Sequence, residues 1–359
     1  MRQTNLVVND KIKTEFKIKE KEGILREISP TVFCSNPGGP TTYIEIVKCI
    51  CYFSSLRLGD AKLSYLKLYV SPSMPFSGFQ KSFDEATYTV LGVPFDFTST
   101  YRAGARFAPT AIREASLNIE TYSFRTGLDV EKIKVHDLGN LDVSADVNET
   151  LKRLRLVAEE LLKAGKIPVF VGGEHTITLG VVQALKDLRK LAVVSFDAHL
   201  DLRDEFLGLK VSHTTFMRRL NELVKPNRIV EVGTRAVCQQ ELEYAEKRGI
   251  RYISSLEISR EGLERAKERL RDMLEDVEAV YLSIDLDVLD PAYAPAVQNP
   301  EPEGINPYIL HELIEEVCKK SVVAFDVVEC SPVYDNGVTA IQAAKTIFET
   351  LCFLEKSKK

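Results

Sequence analysis

The stretch LAVVSFDAHLD, Leu191 to Asp201, decides the fold: an uncharged, mostly apolar run ends abruptly in a cluster of ionisable side chains. A short run of this kind, bounded by polar residues and rich in Val and Phe, reads as a strand buried on both faces, as in a parallel sheet covered by helices. A second stretch repeats the design: AVYLSIDLDVLDP, Ala279 to Pro291. Each places carboxylates at the end of a core strand, the edge at which open α/β sheets bind their ligands. Carboxylates crowded there repel one another and lose hydration, and a pair of divalent cations would supply the missing positive charge.

Outward from these two strands the chain alternates strand and helix. ATYTVLGVPF, KIKVHDLG, IPVFVGG, RIVEVG, IRYIS and VVAFDVV read as further strands. Helices are expected from near Pro109 through Phe124, over 148–164, 178–188, 260–275 and 307–319, and finally over 337–354. The alternation implies a three-layer α/β/α domain around a mostly parallel sheet of roughly eight strands. Residues 1–60 stand apart as an extension of unknown role (a docking element, a disordered segment or an overrun upstream of the true start), with no sustained period and a turn-rich patch from Ser35 to Pro40. The catalytic domain is expected over 61–359.

Composition narrows the function. A net charge of −5 argues against nucleic acid as a partner and suits a small cationic or neutral substrate. The seven cysteines form no CxxC pair and read as buried small hydrophobes of a reducing compartment. The opening MRQTNLVVNDKIKTEFKIKEKEG carries no signal pattern, and IEIVKCICYFSSL is too short to span a bilayer, so no membrane segment and a cytoplasmic location are expected.

The candidate metal ligands are His175 in GGEHTIT, Asp197, His199 and Asp201 in DAHLD, and Asp285 and Asp287 in DLD. If strand geometry persists beyond each apolar run, the alternate residues of DAHLD and DLD point the same way. Two of only five histidines fall in this set, and His213 lies close by in sequence. An oxygen-rich set with two imidazoles and no thiolate suits two Mn²⁺ ions better than zinc, and Mg²⁺ rarely recruits two histidines. Ions held about 3.5–4 Å apart by shared carboxylates would make water nucleophilic at neutral pH. Asp290, before Pro291, reads as a turn residue.

GGEHTIT, SFDAHLDLRD, SIDLDVLDPAYAP and DVVECSPVYD resemble, in order and spacing, the four signatures of the ureohydrolases, the arginase and agmatinase family, and most closely its archaeal-type agmatinases. YRAGARFAPTAIRE is similar to the family's glycine-rich substrate-side stretch, and the resemblance runs from about Leu66 to the end. It implies an arginase-like fold and a trimeric or hexameric homo-oligomer. It also implies one manganese on His175, Asp197, Asp201 and Asp285 and another on Asp197, His199, Asp285 and Asp287. His213 matches the proton-shuttling histidine, Glu329 the carboxylate that holds the guanidinium, and Asp201 can steer the nucleophile.

The loop after DAHLD has no asparagine directly following the motif, where arginases recognise an amino acid; Asp204 or Glu205 would instead receive a terminal ammonium. The resemblance therefore implies hydrolysis of agmatine to urea and putrescine in polyamine biosynthesis. N1-aminopropylagmatine, guanidinobutyrate and arginine are the alternative substrates. Gln298 and Asn299 stand where many relatives have Gly and Thr, and Glu174 stands where Asp is commoner. A single-zinc deacetylase has no use for Asp201 and Asp287, and a vestigial scaffold would have lost ligands that are all present here.

Overall fold

The computed structural model describes residues 64–358 in full. Of residues 1–63 it describes three strands, β1 (Gln3–Asn9), β2 (Ile12–Lys21) and β3 (Ile24–Cys34), paired antiparallel in that order. These belong to one compact unit, Met1–Leu63; the other is Ser64–Lys359. The extension thus carries strands where no period is expected, although Ile12, Phe16 and Ile18 do alternate with Lys13, Lys17 and Lys19. The turn-rich patch, the apolar stretch 44–56, Cys49 and Cys51 lie outside the described residues.

The second unit is built on β4 (Val70–Ser71), β5 (Tyr88–Gly92), a two-stranded ribbon of β6 (Tyr122–Ser123) and β7 (Leu128–Asp129), β8 (Val135–Leu141), β9 (Ile167–Val171), β10 (Leu191–Phe196), β11 (Arg228–Thr234), β12 (Arg251–Ser254), β13 (Ala279–Asp285) and β14 (Val322–Val328). The main sheet has nine strands in the order β12-β11-β10-β13-β14-β9-β5-β8-β4. All pair parallel except β4, which runs antiparallel to β8 at the edge. The added strand is two residues long, too short to leave a pattern in the sequence.

The pleat sends alternate side chains into two cores. Ala192, Val194 and Phe196 of β10, with Val280, Leu282 and Ile284 of β13, face one core. Leu191 and Val193, with Ala279 and Tyr281, face the other. The first core is closed by helices Ala108–Ser116, Leu263–Met273, Pro307–Val317 and Val338–Ser357, and the second by Val147–Lys163, Ile177–Ala184, Phe216–Leu223 and Gln239–Arg248. Each buried Val, Leu or Phe contributes about 1.5–3 kcal/mol relative to exposure, so strands lined on both faces become the most stable part of the domain. Among the described residues no helix is long and apolar enough to cross a membrane. Cys318, Cys330 and Cys352 are buried and unbridged.

Two helices differ from expectation. The one expected from Pro109 to Phe124 ends at Ser116, where the Ser116 hydroxyl donates to the Arg113 carbonyl (2.6 Å) and the Asn118 amide to the Glu114 carbonyl (2.8 Å). Side chains that bond their own backbone in this way compete with helix continuation. The helix expected over 260–275 is two, Ser255–Glu261 and Leu263–Met273, divided at Gly262 with φ 88°. Helices Phe216–Leu223 and Gln239–Arg248 carry no sequence expectation.

Arg113 fastens helix Ala108–Ser116 to β8. Fully buried, it binds both Asp137 oxygens (Nε–Oδ2 2.8 Å, Nη2–Oδ1 2.9 Å), Asn140 Oδ1 (2.7 Å) and the Gly139 carbonyl (2.7 Å). Breaking a buried pair by removing one partner costs about 3–5 kcal/mol. Arg113→Met is therefore expected to lower unfolding stability by about that amount, read from the urea midpoint, while Lys81→Met on the surface leaves it unchanged. Deleting residues 1–60 is expected to leave the second unit folded and active, checked by circular dichroism and turnover of the truncated chain.

Candidate metal centre and catalytic site

Four neighbouring strands, β10, β13, β14 and β9, deliver the site at their carboxyl ends. Asp197 follows β10, Asp285 closes β13, Glu329 follows β14, and His175 lies in the turn after β9. The parallel arrangement brings together residues far apart in sequence because all four chains leave the sheet on one side.

The spacing of the motifs works through turns rather than through continued strand. Asp197 Oδ1 accepts the backbone N–H of His199 (2.6 Å), and Asp285 Oδ1 accepts that of Asp287 (2.8 Å). Aspartate binds its own backbone two residues on in this manner, which bends the chain out of the sheet. Asp287, in the 3₁₀ turn Leu286–Val288, accepts the Ala198 N–H at Oδ1 (3.0 Å). One oxygen of each carboxylate is thereby anchored to backbone and the other is presented inward.

The inward atoms form two groups that share Asp197. His175, Asp197 and Asp285 make one, and Asp197, His199 and Asp287 the other, with ligand atoms within 4.8 Å of one another in each group. His175 Nδ1 lies 3.0 Å from Asp197 Oδ2 and 3.0 Å from Asp285 Oδ2, and His199 Nδ1 lies 2.9 Å from Asp287 Oδ2. Asp201 stands slightly back, its Oδ2 3.7 Å from His175 Nδ1. Asp201 and Glu329 both have left-handed backbone, φ 52° and 65°, a conformation that non-glycine residues hold at a cost and that recurs at functional sites.

The donor chemistry fits cations. Ser283 donates its hydroxyl to Asp326 Oδ1 (2.6 Å), so toward His175 Nε2 (2.9 Å) it is the acceptor. Nε2 then carries the proton and the Nδ1 lone pair faces two carboxylate oxygens, an arrangement that a positive ion satisfies. Thr178 and Tyr281 donate to the other Asp326 oxygen and complete this support. Burial opposes charge on His175, yet Asp197 and Asp285 outweigh it and hold its pKa well above the usual value. Burial and neighbouring carboxylates push Asp201 and Asp285 well above the usual range. The field that holds protons there would equally hold metal ions.

Beside the cluster, Glu329 Oε1 accepts the His175 N–H (2.6 Å) while Oε2 is buried without a partner. Burial, then the nearby Glu174, raise its pKa to about 8. His213 is buried, with Nδ1 3.1 Å from Thr98 Oγ1 and Nε2 3.4 Å from Thr100 Oγ1. Burial and the imidazoles of His199 and His175 push its pKa down to about 4.

The loop after DAHLD carries two arginine contacts to one of its carboxylates. Asp204, its side chain 60 % exposed, meets Arg219 (2.6 Å) and Arg218 (3.3 Å), both at Oδ1. Arg203 pairs with neither Asp204 nor Glu205; it lies over the Phe206 ring, 3.9 Å from Glu241. Glu205 is exposed. Gln298 is buried and accepts the Ser99 hydroxyl, which ties the 295–299 loop to the loop after β5. Ser283, Asp326, Thr98 and Arg235 are not among the residues expected at the site from sequence. Arg235 donates to the carbonyls of Asp287 (2.6 Å), Glu301 (2.8 Å) and Pro302 (2.9 Å), clamping the second motif to that loop. Only Ser283 and Asp326 had a signal: polar residues inside otherwise apolar core strands.

Fold and donor groups together define an α/β metalloenzyme with two ion sites that share a carboxylate. The chain belongs to the arginase family of hydrolases: the family's sequence model matches residues 86–352. It is 38% identical over 277 residues to the N(1)-aminopropylagmatine ureohydrolase of Thermococcus kodakarensis, covering 76% of this chain and 92% of that one. To the guanidinobutyrase of Pseudomonas aeruginosa it is 34% identical over 274 residues, 74% of this chain and 85% of that one. The crystal structure of the agmatine ureohydrolase of Thermoplasma volcanium superposes with a TM-score of 0.73 at 37% identity, covering 80% of this chain and 96% of that one.

Because Asp197 belongs to both groups, Asp197→Asn is expected to abolish tight binding of both ions, whereas His199→Asn retains about one per chain where the parent holds about two. Metal analysis after gel filtration in manganese buffer checks this.

Proposed function

We propose that the protein hydrolyses the guanidino group of agmatine to urea and putrescine with two Mn²⁺ ions, as a step of polyamine biosynthesis in the cytoplasm. The observation that carries this reading is the unpartnered Glu329 Oε2, buried beside the two histidine–carboxylate groups. A guanidinium offers N–H donors on a flat edge, and a buried carboxylate with an unused oxygen is their natural partner. His175, Asp197, Asp201 and Asp285 would hold one ion and Asp197, His199, Asp285 and Asp287 the other; bound there, the pair would make water nucleophilic at neutral pH.

The chain's own residues do the rest. Glu329 fixes the substrate with its carbon toward the nucleophile, and the guanidinium in turn draws the Glu329 pKa back down. Asp201 accepts a hydrogen bond from the attacking water and aims it. His213, neutral at physiological pH by its depressed pKa, takes up a proton released as water adds and returns it to the departing amine. Without that proton the tetrahedral adduct would expel water rather than amine.

N1-aminopropylagmatine is the second reading, favoured by the 38% identity to a relative of that name. Both substrates end in an ammonium. Asp204 and Glu205, both exposed, are the carboxylates of this loop that would meet it. A homo-oligomer, trimeric or hexameric, is part of the same proposal.

The test is urea release by the manganese-loaded protein with agmatine, aminopropylagmatine, guanidinobutyrate and arginine in parallel. Agmatine is expected to give the highest kcat/KM, and preference for guanidinobutyrate would overturn the reading of the amine end. Glu329→Gln is expected to lose about a hundredfold or more in kcat/KM with metal content unchanged.

A further inference from the structure

Glu174, His213 and Thr98 come from three separate segments, and all three are buried. Thr98, in the loop after β5, stands between the other two. We propose that Thr98, anchored by Glu174, is a positioning residue that fixes the tautomer of His213, holding the ring proton on Nδ1 and leaving Nε2 as the working nitrogen.

A threonine hydroxyl has one hydrogen and two lone pairs. The His213 backbone N–H can only donate, and it reaches Thr98 Oγ1 at 3.1 Å, which occupies one lone pair. Glu174 Oε1 lies 2.5 Å from the same oxygen and takes the hydroxyl hydrogen. Every bond the structure gives Glu174 is one it accepts: the Thr98 N–H at Oε2 (2.7 Å) and the hydroxyls of Thr98 and Thr176 at Oε1. With Glu174 as the carboxylate, the remaining Thr98 lone pair lies 3.1 Å from His213 Nδ1, which is then the N–H. In the opposite tautomer Nδ1 and Oγ1 would face each other as acceptors unless the hydroxyl abandoned Glu174, weakening the support of a fully buried carboxylate.

This gives Glu174 a reason for its length. Its backbone belongs to the His175 turn, while its carboxylate spans from there to both the amide and the hydroxyl of Thr98. An aspartate would fall short by a methylene. The chain of contacts thus couples the turn that carries a metal ligand to the ring that moves the proton. The role given to Nε2 rests on the ureohydrolase reading; the tautomer itself does not.

The test uses the full chain labelled with ¹⁵N-histidine and loaded with diamagnetic zinc, read by magic-angle-spinning NMR. Only five histidines contribute, and His213 is assigned by the signals lost in His213→Asn. The parent is expected to show His213 with a protonated Nδ1 and a bare Nε2. Thr98→Ser keeps that pattern, and Thr98→Val loses it. A protonated Nε2 in the neutral parent, or a Thr98→Val spectrum like the parent's, overturns the proposal. If Thr98→Val fails to fold, the parent spectrum decides alone. In the manganese form with agmatine, Thr98→Val is expected to lower kcat at least tenfold with KM within threefold, and Thr98→Ser to restore most of it. A parent that releases no urea but shows the Nδ1–H pattern would refute the substrate reading and leave the tautomer assignment standing.

Discussion

Everything at the carboxyl edge of the sheet depends on three aspartates that keep one oxygen on backbone and turn the other toward its neighbours. Asp197, Asp285 and Asp287 each accept a backbone N–H at Oδ1. Those bonds fix the carboxylates before any ion arrives, so repulsion among the Oδ2 atoms is built into the fold and not relieved by rotation. The compensation must come from elsewhere. Hydrophobic burial along β10 and β13 holds the strands at the registers that create the crowding. Cations, by binding only the folded arrangement, would then add to its stability.

Support for the histidines follows the same logic at one remove. Ser283 and Asp326 are paired across β13 and β14 in the middle of the apolar core, where polar side chains are costly unless fully bonded. They orient His175 from below as the aspartates meet it from above. Thr98 and Glu174 do for His213 what Ser283 and Asp326 do for His175. In both cases a hydroxyl donates to a carboxylate and accepts from imidazole, which leaves the other ring nitrogen free to face the site.

Much of this is legible in the amino-acid sequence. The eight parallel strands follow from short apolar runs, since burial on both faces leaves no room for a polar alternation. The six proposed ligands follow from carboxylates and imidazoles that a core-strand end has no other use for. The antiparallel β4 was not legible, because two residues carry no periodicity. Nor was the early end of the helix at Ser116, which Ser116 and Asn118 impose by bonding backward to carbonyls. The ion pairs of the loop after DAHLD were not legible either: Arg218 and Arg219 sit a full loop away in sequence, and only folding lays them against Asp204.

What the sequence by itself determined is the chemistry: which strands are core, which edge carries charge, and which residues bring carboxylate and imidazole to it. Short-range patterns record these, because strand periodicity and the Asp-to-backbone turn act over two residues. Only the tertiary structure decided the pairings. That Asp197 is shared by two groups, that Glu329 keeps an oxygen free, and that Thr98 reaches both Glu174 and His213 depend on contacts between segments 22 to 154 positions apart in the chain. Such contacts leave no local signature. They exist because parallel strands all leave the sheet on one side and bring distant loops within hydrogen-bonding reach.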